Sequence, residues 1–346
     1  MESRVDKGTQ CIESARRGVA WLLDHQNLDG SWKFLPEPPV DAYYRASWTL
    51  GLLGEPAAAE RSLNFLKQRF LTPEGDLRLR ENAWYRYVHY PYQNAILVAG
   101  AHRLGRYDIA MPALRFMLGL QDPDHGGFYM ILPGRGEKAP SNTKSTAMCG
   151  IACLAAGQIE AALRAGDWLN GLVEMQPVPA ERFYTTTKPD GSLRTDYGEA
   201  ESRWHMVDVK EPNQCWYALG LPFAFAILLH QATGEKRYAD LAQWFHELHL
   251  RCVNPWDGSS SGKGAWACSM LYRLTGERRY RDEALHVAGN FVSRQTPEGW
   301  FKGWAYVPPA PGSDPRLLTV RQFESTLEFG QWLGLIGENL LARDAE

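Results

Sequence analysis

The chain has 346 residues, of which 45% are hydrophobic and 22% are charged, and its formal net charge at pH 7 is −3. Acidic and basic residues are interspersed without a basic stripe, so nucleic acid is not expected as a partner. No apolar run follows the charged start MESRVDKGTQ, which predicts a cytoplasmic protein without a signal peptide or an integral membrane segment.

Helical periodicity dominates the sequence and predicts twelve helices. In chain order they cover 9–25, 41–53, 56–70, 91–104, 107–120, 143–156, 158–175, 213–232, 236–252, 262–275, 279–295 and 321–341. Short connections that contain a glycine follow every second helix and predict antiparallel neighbours. The other connections are long, and they cover 26–40, 71–90, 121–142, 176–212, 253–261 and 296–320.

The long connections begin with a recurring order of glutamine, glycine and an aromatic residue. The fullest copy contains Gln26, Gly30 and Trp32, and further copies start at Gln121 and Gln295. Six helical hairpins at a period of roughly 50 residues predict a closed or solenoidal array. Because one hairpin cannot bury its apolar face alone, we expect residues 1–346 to form a single domain.

The two classes of connection predict two ends of a ring. Helices that follow long loops, such as 143–156, are rich in small apolar residues, which favours an inner ring around an axis. Helices such as 236–252 carry a charged face and are expected outside. The long-loop end then presents the N-termini of all six inner helices, with unpaired N–H groups and partial positive charge. Loops on a rigid scaffold commonly carry function, so we predict the site at this axial mouth.

The stretch 17–32 resembles the QW repeat of triterpene cyclases. The matching residues are Arg17, Gly18, Trp21, Leu22, Gln26, Gly30 and Trp32. The sequence is therefore similar to the superfamily of terpenoid cyclases and protein prenyltransferases, and this resemblance implies an all-α fold, an (α/α)6 toroid. In that family the repeat ties outer to inner helices, which implies a structural role for these residues.

The catalytic signatures of the superfamily are absent from the sequence. Neither the Asp-x-Asp-Asp acid motif nor the Asp-Asp-x-x-Asp metal motif occurs. The stretch 213–217 resembles the helix start that bears the zinc-binding cysteine of protein prenyltransferases, but Asn213 stands in place of the aspartate. We therefore expect no metal and no other cofactor.

Four residues are the candidates for proton transfer. Asp41 starts the first inner helix among aromatic residues, where burial would raise the pKa of its carboxyl; a simple helix N-cap is the alternative. In the longest loop, His205 is a candidate base with Asp208 as its orienting carboxylate, and Glu211 follows them. The alternative is a surface histidine and an ion-paired aspartate.

Polar and aromatic residues at inner-helix starts and in the longest loop are the candidates for substrate binding. They are Tyr44, Arg45, Trp48, Gln93, Asn94, Lys144, Trp204, Asn213, Gln214, Cys215, Trp216, Lys263, Arg321 and Glu324. A helix cap or an ordinary surface residue is the alternative for each residue at a helix start. A helix N-terminus lowers thiol pKa, so an activated Cys215 thiolate is one hypothesis and core packing the other.

The stretch 246–249, His-Glu-Leu-His, lies on a predicted outer helix. Its histidines are three residues apart, whereas the His-Glu-x-x-His zinc signature needs four. We therefore expect a solvent-facing segment rather than a metal site.

These features predict an enzyme that performs acid/base cyclisation, isomerisation or rearrangement of a largely hydrophobic small molecule, isoprenoid or polyketide-like. The alternatives are a carbohydrate-active hydrolase, lyase or epimerase, and a non-catalytic scaffold that binds a small molecule. An aliphatic and aromatic cavity would favour the first function, and a cleft dense in charged and amide groups the second. The sequence leaves the oligomeric state open.

Overall fold

A computed structural model describes residues 4–303 and 315–345. Its helices are α1 (Arg4–Asp24), α2 (Ala46–Leu52), α3 (Pro56–Arg69), α4 (Ala83–Tyr87), α5 (Tyr92–Arg103), α6 (Tyr107–Leu118), α7 (Thr143–Ala155), α8 (Ile159–Glu174), α9 (Glu199–His205), α10 (Tyr217–Thr233), α11 (Lys236–Arg251), α12 (Gly262–Thr275), α13 (Arg278–Val292) and α14 (Pro315–Asp344). No helix in these two ranges is long and apolar enough to span a bilayer.

Four short strands lie in the long loops that precede α7 and α10. They are β1 (Ser141–Asn142), β2 (Arg182–Tyr184), β3 (Thr186–Thr187) and β4 (Met206–Asp208). The strands pair antiparallel as β1 with β3 and β2 with β4. These pairings position the loops over the long-loop end of the helices.

All twelve predicted helices are present, but several ends differ. The first inner helix begins at Ala46 rather than at 41. Asp41 lies in a separate 3-10 turn, Val40–Ala42, that precedes this helix. The fourth inner helix begins at Tyr217, since Asn213 has a φ of 56° that no right-handed helix accepts. The last helix extends from Pro315 rather than from 321. The short helices α4 and α9 were not predicted.

The helices form two concentric rings. In the inner ring α2, α5, α7, α10, α12 and α14 pack in this order, and α14 packs against α2. The outer helices α3, α6, α8, α11 and α13 each pack on the inner helix that precedes them, and α1 packs on α14. The first and last helices therefore close the ring, which confirms the predicted toroid and its inner and outer sets.

Small residues allow the inner helices to approach closely. A Cβ atom on Gly220 of α10 would lie 2.5 Å from the backbone nitrogen of Gly264 on α12. Any larger side chain at this point would push the two helices apart. The small-residue pattern of the inner helices is therefore a packing requirement.

Four long loops start with the same tight turn, which we call the outer turns. They are centred on Gly30, Gly75, Gly126 and Gly299, whose φ angles lie between 84° and 109°. A backbone bridge closes each turn, and each glycine lies against the backbone of the next outer helix. A Cβ atom on Gly126, for example, would lie 2.6 Å from the carbonyl oxygen of Arg164. Only glycine accepts both the positive φ angle and the close contact with the backbone of the next outer helix.

The glutamines of the outer turns bind neighbouring outer helices. The Nε2 atom of Gln26 donates to the carbonyl of Ala58 on α3 at 3.0 Å, and that of Gln295 donates to Ser14 on α1 at 2.8 Å. Arg17 donates to Oε1 of Gln295 at 2.6 Å, which joins the last turn to the first helix.

The aromatic residues of the outer turns bind inner helices. The backbone N–H of Phe128 donates to Thr146 on α7 at 2.9 Å, and that of Phe301 donates to Thr326 on α14 at 3.1 Å. The turn thus ties each outer helix both to the next outer helix and to the next inner helix. The resemblance implied only the second of these connections.

One surface expectation is wrong. His246 and His249 on α11 are 0% and 1% exposed, although the segment was expected to face solvent. The buried face of α11 also includes Leu241, Ala242 and Phe245, and both histidines fall within its helical period.

Candidate functional site

Residues at or just before the starts of five inner helices meet one face of α14 at the axis, and their polar and charged side chains are buried, except that Glu324 is half-buried. We call this group the axial cluster. It consists of Tyr44, Arg45, Tyr85, Tyr92, Lys144, Tyr217, Lys263, Glu324, Glu328, Gln331 and Trp332. All six inner helices, or the residues just before them, contribute to it.

Glu328 accepts hydrogen bonds at the centre of the axial cluster. Its Oε1 atom receives Nζ of Lys263 and, at 3.1 Å, Nε1 of Trp332, and it lies 3.9 Å from Nη2 of Arg45. Burial raises the pKa of this carboxyl, but the charges of Lys263 and Arg45 and these hydrogen bonds together lower it to about 2. Glu328 is therefore ionised at neutral pH.

Arg45 is held rigidly beside Glu328. It donates to Oε1 of Gln331 at 2.8 Å and to the hydroxyls of Tyr44 and Tyr92 at 3.1 and 3.0 Å. Its guanidinium also lies 5.6 Å from the ring of Trp332. Arg45 and Lys263 supply two fixed positive charges against the one fixed negative charge of Glu328, so the centre of the cluster carries excess positive charge.

Lys144 lies among tyrosine rings instead of carboxylates. Its Nζ atom is 4.1 Å from the ring centre of Tyr92, 4.4 Å from that of Tyr217 and 5.5 Å from that of Tyr85. Within the described ranges no carboxylate forms an ion pair with it. Burial and the charge of Lys263 lower the pKa of Lys144 to about 7. A large fraction of this amine is therefore neutral at physiological pH, as a general base requires.

Glu324 lies beside Tyr85, one of the three tyrosines around Lys144. The hydroxyl of Tyr85 donates to Oε1 of Glu324 at 2.9 Å and lies 3.0 Å from the hydroxyl of Tyr44. Burial and the charges of Asp41 and Glu328 raise the pKa of Glu324 to about 7. A carboxyl group and an amine that both titrate near neutrality therefore flank Tyr85.

The structure brings several predicted residues to this site. Tyr44, Arg45, Lys144, Lys263 and Glu324 belong to the axial cluster itself. Asp41 lies next to it and is 3% exposed. Its carboxylate accepts the backbone N–H of Glu81 at 3.1 Å and Nε2 of Gln93 at 3.3 Å, and burial raises its pKa.

The predicted aromatic wall is present in part. Trp48 meets Trp266 edge to face at 6.5 Å, and Trp266 lies 5.7 Å from Trp332. These three indoles connect the axial cluster with the apolar interior of the inner ring.

The predicted pair of His205 and Asp208 does not form. Nδ1 of His205 lies 3.1 Å from Oγ1 of Thr186, and the ring stacks on Tyr197. Burial and the charge of Arg194 lower the pKa of His205 to about 4. Asp208 instead lies at the end of β4, where the strand register places it opposite Arg182 at 3.2 Å. Glu211 is exposed beyond them.

Other predicted residues form hydrogen bonds that stabilise the loops and helices around the axial cluster. Asn94 donates to the carbonyl of Gly75 in an outer turn at 3.2 Å. Gln214 accepts the backbone N–H of Asp208 at 2.8 Å. Trp216 is fully buried and its backbone N–H donates to Ser260 at 3.1 Å.

The remaining predicted residues do not form part of the axial cluster either. Arg203 stacks on Trp204, 4.0 Å from its ring centre, and Asn213 and Arg321 are exposed. Burial raises the pKa of the Cys215 thiol, which contradicts the hypothesis of an activated thiolate.

Sequence reasoning missed part of the axial cluster. Tyr85 lies in the unpredicted helix α4, and no periodic pattern marked it. Glu328 and Trp332 follow Glu324 at spacings of four residues on an otherwise apolar helix, which places the three on one face. That spacing was the available signal.

A separate depression lies at the short-turn end of the toroid. It has a volume of about 260 Å³ and is lined by Tyr272, Gly276, Arg278, Arg281 and Asp282. None of the predicted site residues lines it. Its charged rim lacks the convergent, buried groups of the axial cluster.

Comparisons with known proteins show the architecture. No family profile matches the sequence, and no curated protein matches it. The structure is similar to that of a D-mannose isomerase, with a TM-score of 0.69, 11% identity, and coverage of 98% of this chain and 99% of that chain. The chain is an (α/α)6 toroid.

Two further solved structures share the toroid with different chemistry. A family 76 α-mannanase of Bacteroides thetaiotaomicron has a TM-score of 0.63 and 14% identity, with 95% of this chain and 96% of that chain covered. A type II terpene cyclase of Scytonema, in complex with geranylgeranyl dihydroxybenzoate, has a TM-score of 0.57 and 14% identity, with 97% and 98% covered. An isomerase, a hydrolase and a cyclase thus have this fold, and function must be argued from the site.

Proposed function

We propose that this toroid is an enzyme that moves a proton within a polar, oxygen-rich small molecule at the axial mouth, as an isomerase, epimerase or lyase. The observation that carries the proposal is the pair of Glu324 and Lys144 beside Tyr85, each with a pKa of about 7. General acid/base catalysis is most effective when the pKa values of the groups lie near the working pH. Two such groups in one cluster supply an acid and a base together.

Each group has a defined role in this proposal. The neutral amine of Lys144 removes a proton from a carbon next to a carbonyl or carboxyl group. Protonated Glu324, hydrogen bonded to Tyr85, donates a proton to the substrate oxygen as the electrons shift towards it. Arg45 and Lys263 stabilise the negative charge that develops on oxygen, as preorganised donors do in a site shielded from water.

The charge of the axial cluster favours this function over hydrocarbon cyclisation. A carbocation at the mouth would meet Arg45 and Lys263, and like charges repel strongly where water is excluded. A cleft rich in charged and amide groups is the lining expected of the carbohydrate-active alternative. The similarity to a D-mannose isomerase supports a sugar or sugar acid as the substrate class.

Terpenoid-like cyclisation is the second candidate. The indoles of Trp48, Trp266 and Trp332 favour it, because aromatic faces stabilise cations. Trp332 itself contacts the charged groups, since its Nε1 donates to Glu328 and its ring lies 5.6 Å from the Arg45 guanidinium, so a hydrophobic substrate at these indoles would meet the same charges.

Solvent deuterium exchange tests the proposal even while the product is unidentified. The protein is incubated in D₂O with aldoses, ketoses and uronic acids, and in parallel with isoprenoid alcohols, and proton NMR follows the hydrogens next to oxygenated carbons. We expect deuterium incorporation in a member of the sugar set. Lys144→Met and Glu324→Gln should each slow it by about 100-fold or more.

Lys67→Met is the matched control. Lys67 is an exposed lysine on the outer helix α3, paired with Asp108 at 2.7 Å, and its replacement should leave the exchange rate unchanged. Exchange that continues at the full rate in Lys144→Met, or its absence from every sugar tested, would contradict the proposal. Conversion of an isoprenoid alone would establish the second candidate instead.

A further inference from the structure

A second group of reactive side chains lies away from the axial mouth, where α11, α12 and α13 meet. It consists of His246, Cys268 and Glu283, one from each helix, and their ligand atoms all lie within 4.8 Å of one another. Nε2 of His246 is 2.9 Å from Oε2 of Glu283, and Sγ of Cys268 donates to the same oxygen at 3.2 Å. A nitrogen, a sulfur and an oxygen donor thus converge on one point.

The burial and charge of this group favour a cation. His246 and Cys268 are fully buried, and the side chain of Glu283 is 15% exposed. In the described part of the chain, no lysine or arginine nitrogen lies within ion-pair distance of Glu283. Its recorded ion-pair partner is His246, whose Nδ1 atom is buried without a hydrogen-bond partner in the same part of the chain. A bound divalent ion would place positive charge beside this largely buried carboxylate without requiring a protonated histidine.

We propose that His246, Cys268 and Glu283 bind a divalent transition metal ion, with zinc as the ion that their chemistry favours. Imidazole nitrogen, thiolate sulfur and carboxylate oxygen are zinc ligands in proteins, at about 2.0–2.3 Å from the ion. Tetrahedral geometry with such bonds separates neighbouring ligand atoms by about 3.3–3.8 Å. The two contacts to Glu283, at 2.9 and 3.2 Å, would lengthen by roughly 0.5 Å, and the ligand atoms of His246 and Cys268 already lie within 4.8 Å of each other. The partly exposed Glu283 provides the access route from the outer surface.

The bound ion would link two outer helices and one inner helix. This is a structural role, independent of the proton transfer proposed at the axial mouth. It also replaces the expectation of a protein without metal, which rested on the missing motifs of the resembling superfamily. The three ligands come from three different helices, so no local sequence motif contains all of them.

A purely hydrogen-bonded group is the competing explanation. Burial and the charge of Glu283 raise the pKa of the Cys268 thiol, so without a metal the thiol stays protonated and donates to Glu283. Cys268→Ser separates the two cases. The serine hydroxyl keeps a donor for Glu283, but it removes the thiolate ligand.

The test uses the purified full-length chain, stripped with a chelator and then titrated with Co²⁺ and Zn²⁺. We expect one equivalent of Co²⁺ to produce a thiolate-to-cobalt charge-transfer band, which Zn²⁺ then abolishes. Zn²⁺ should also raise the melting temperature of the stripped protein. Absence of stoichiometric Co²⁺ binding by the native chain would overturn the proposal.

Three variants sharpen this test. Cys268→Ser should lose the charge-transfer band, and Glu283→Gln should bind Zn²⁺ at least about tenfold more weakly. Cys153→Ser is the matched control, because Cys153 is a fully buried cysteine on α7 outside this group of ligands, and it should retain the band and the affinity. A charge-transfer band that persists in Cys268→Ser would show that a different cysteine binds the ion and would also overturn the assignment.

Discussion

The outer turns lie where the chain leaves an outer helix, and the axial cluster lies where the long loops lead into the inner helices; the two regions use different physical chemistry. The outer turns close through backbone bridges around glycines such as Gly30, and their glutamines bind neighbouring outer helices. The charged side chains of the axial cluster come from α7, α12, α14 and the residue just before α2. Nε of Arg45 and Nε2 of Gln331 have no hydrogen-bond partner in the part of the chain that the structure describes.

This difference separates the residues that close the ring from those available for chemistry. Buried polar atoms without partners are rare in proteins and reduce stability, so a ligand that satisfies them explains why they are present. In the outer turns, Oγ1 of Thr296 likewise has no partner among the described residues, but no such atom there lies beside a buried charged group of the axial cluster. The comparison therefore predicts that substitutions in the axial cluster will change how the free energy of unfolding depends on pH, whereas substitutions in the outer turns will not.

The largest expected effect comes from breaking the central ion pair. Lys263→Met leaves Glu328 buried without its closest cation and should lower the free energy of unfolding by about 3–5 kcal/mol. Denaturant unfolding measures this change. Lys67→Met, which removes an exposed ion pair, should cost at most about 1 kcal/mol. Equal effects of the two variants would mean that the Lys263–Glu328 pair is solvated.

Substitution in an outer turn should have the next largest effect. In Gly30→Ala the new Cβ would overlap the carbonyl oxygen of Arg61, in a backbone with a φ of 89°, so we expect a loss of roughly 2–4 kcal/mol in the free energy of unfolding. Gly54 has the same φ but nothing within 4 Å of its Cβ position. Gly54→Ala should cost about 1 kcal/mol, the conformational part alone. Thermal unfolding of both variants tests whether close packing or backbone conformation dominates.

Stability should pass through a minimum near pH 7. Folding raises the pKa of Glu324 from 4.5 to about 7, so the folded state binds more protons in that interval and stability falls as pH rises through it. Folding lowers the pKa of Lys144 from 10.5 to about 7, so the unfolded state binds more protons above pH 7 and stability rises again. The change in the free energy of unfolding should reach at most about 3 kcal/mol on the acidic side of the minimum and at most about 5 kcal/mol on the alkaline side.

Matched variants separate the fall in stability below pH 7, the acidic limb of the curve, from the rise above it, the alkaline limb. Glu324→Gln should flatten the acidic limb, and Lys144→Met the alkaline limb, when the free energy of unfolding is measured from pH 5 to pH 10. The cations Lys263 and Arg45 and the carboxylates Glu328 and Asp41 face both groups and remain in each variant. Parallel curves for the native chain and both variants would refute the assigned pKa shifts.

The smallest effect is expected from loss of the side-chain hydrogen bonds of one partly exposed glutamine. Gln295→Ala removes the hydrogen bonds to Ser14 and Arg17 that join the last outer turn to the first helix. We expect a loss of about 1–2 kcal/mol in the free energy of unfolding, without any change in the pH dependence described above. A changed pH profile would mean that ring closure and the axial cluster are coupled.

Helix positions were predictable because each helix has its own apolar period and each short turn a glycine. Arg45, Lys144 and Lys263 were also predictable, since they stand at or just before the starts of inner helices. Tyr85 was not, because tertiary packing alone brings the five-residue helix α4 to the axis. The prediction that His205 pairs with Asp208 was wrong for a similar reason. The strand register of β4, which no local pattern encodes, places Asp208 opposite Arg182.

The most direct test of the central claim is a titration of Glu324 by carbon-13 NMR. Glutamate-labelled native protein is compared with Glu324→Gln, so that the carboxyl resonance missing from the variant identifies the residue. We predict that this resonance titrates near pH 7. A midpoint near the ordinary glutamate value of 4.5 would contradict the assignment of the axial cluster as an acid/base site.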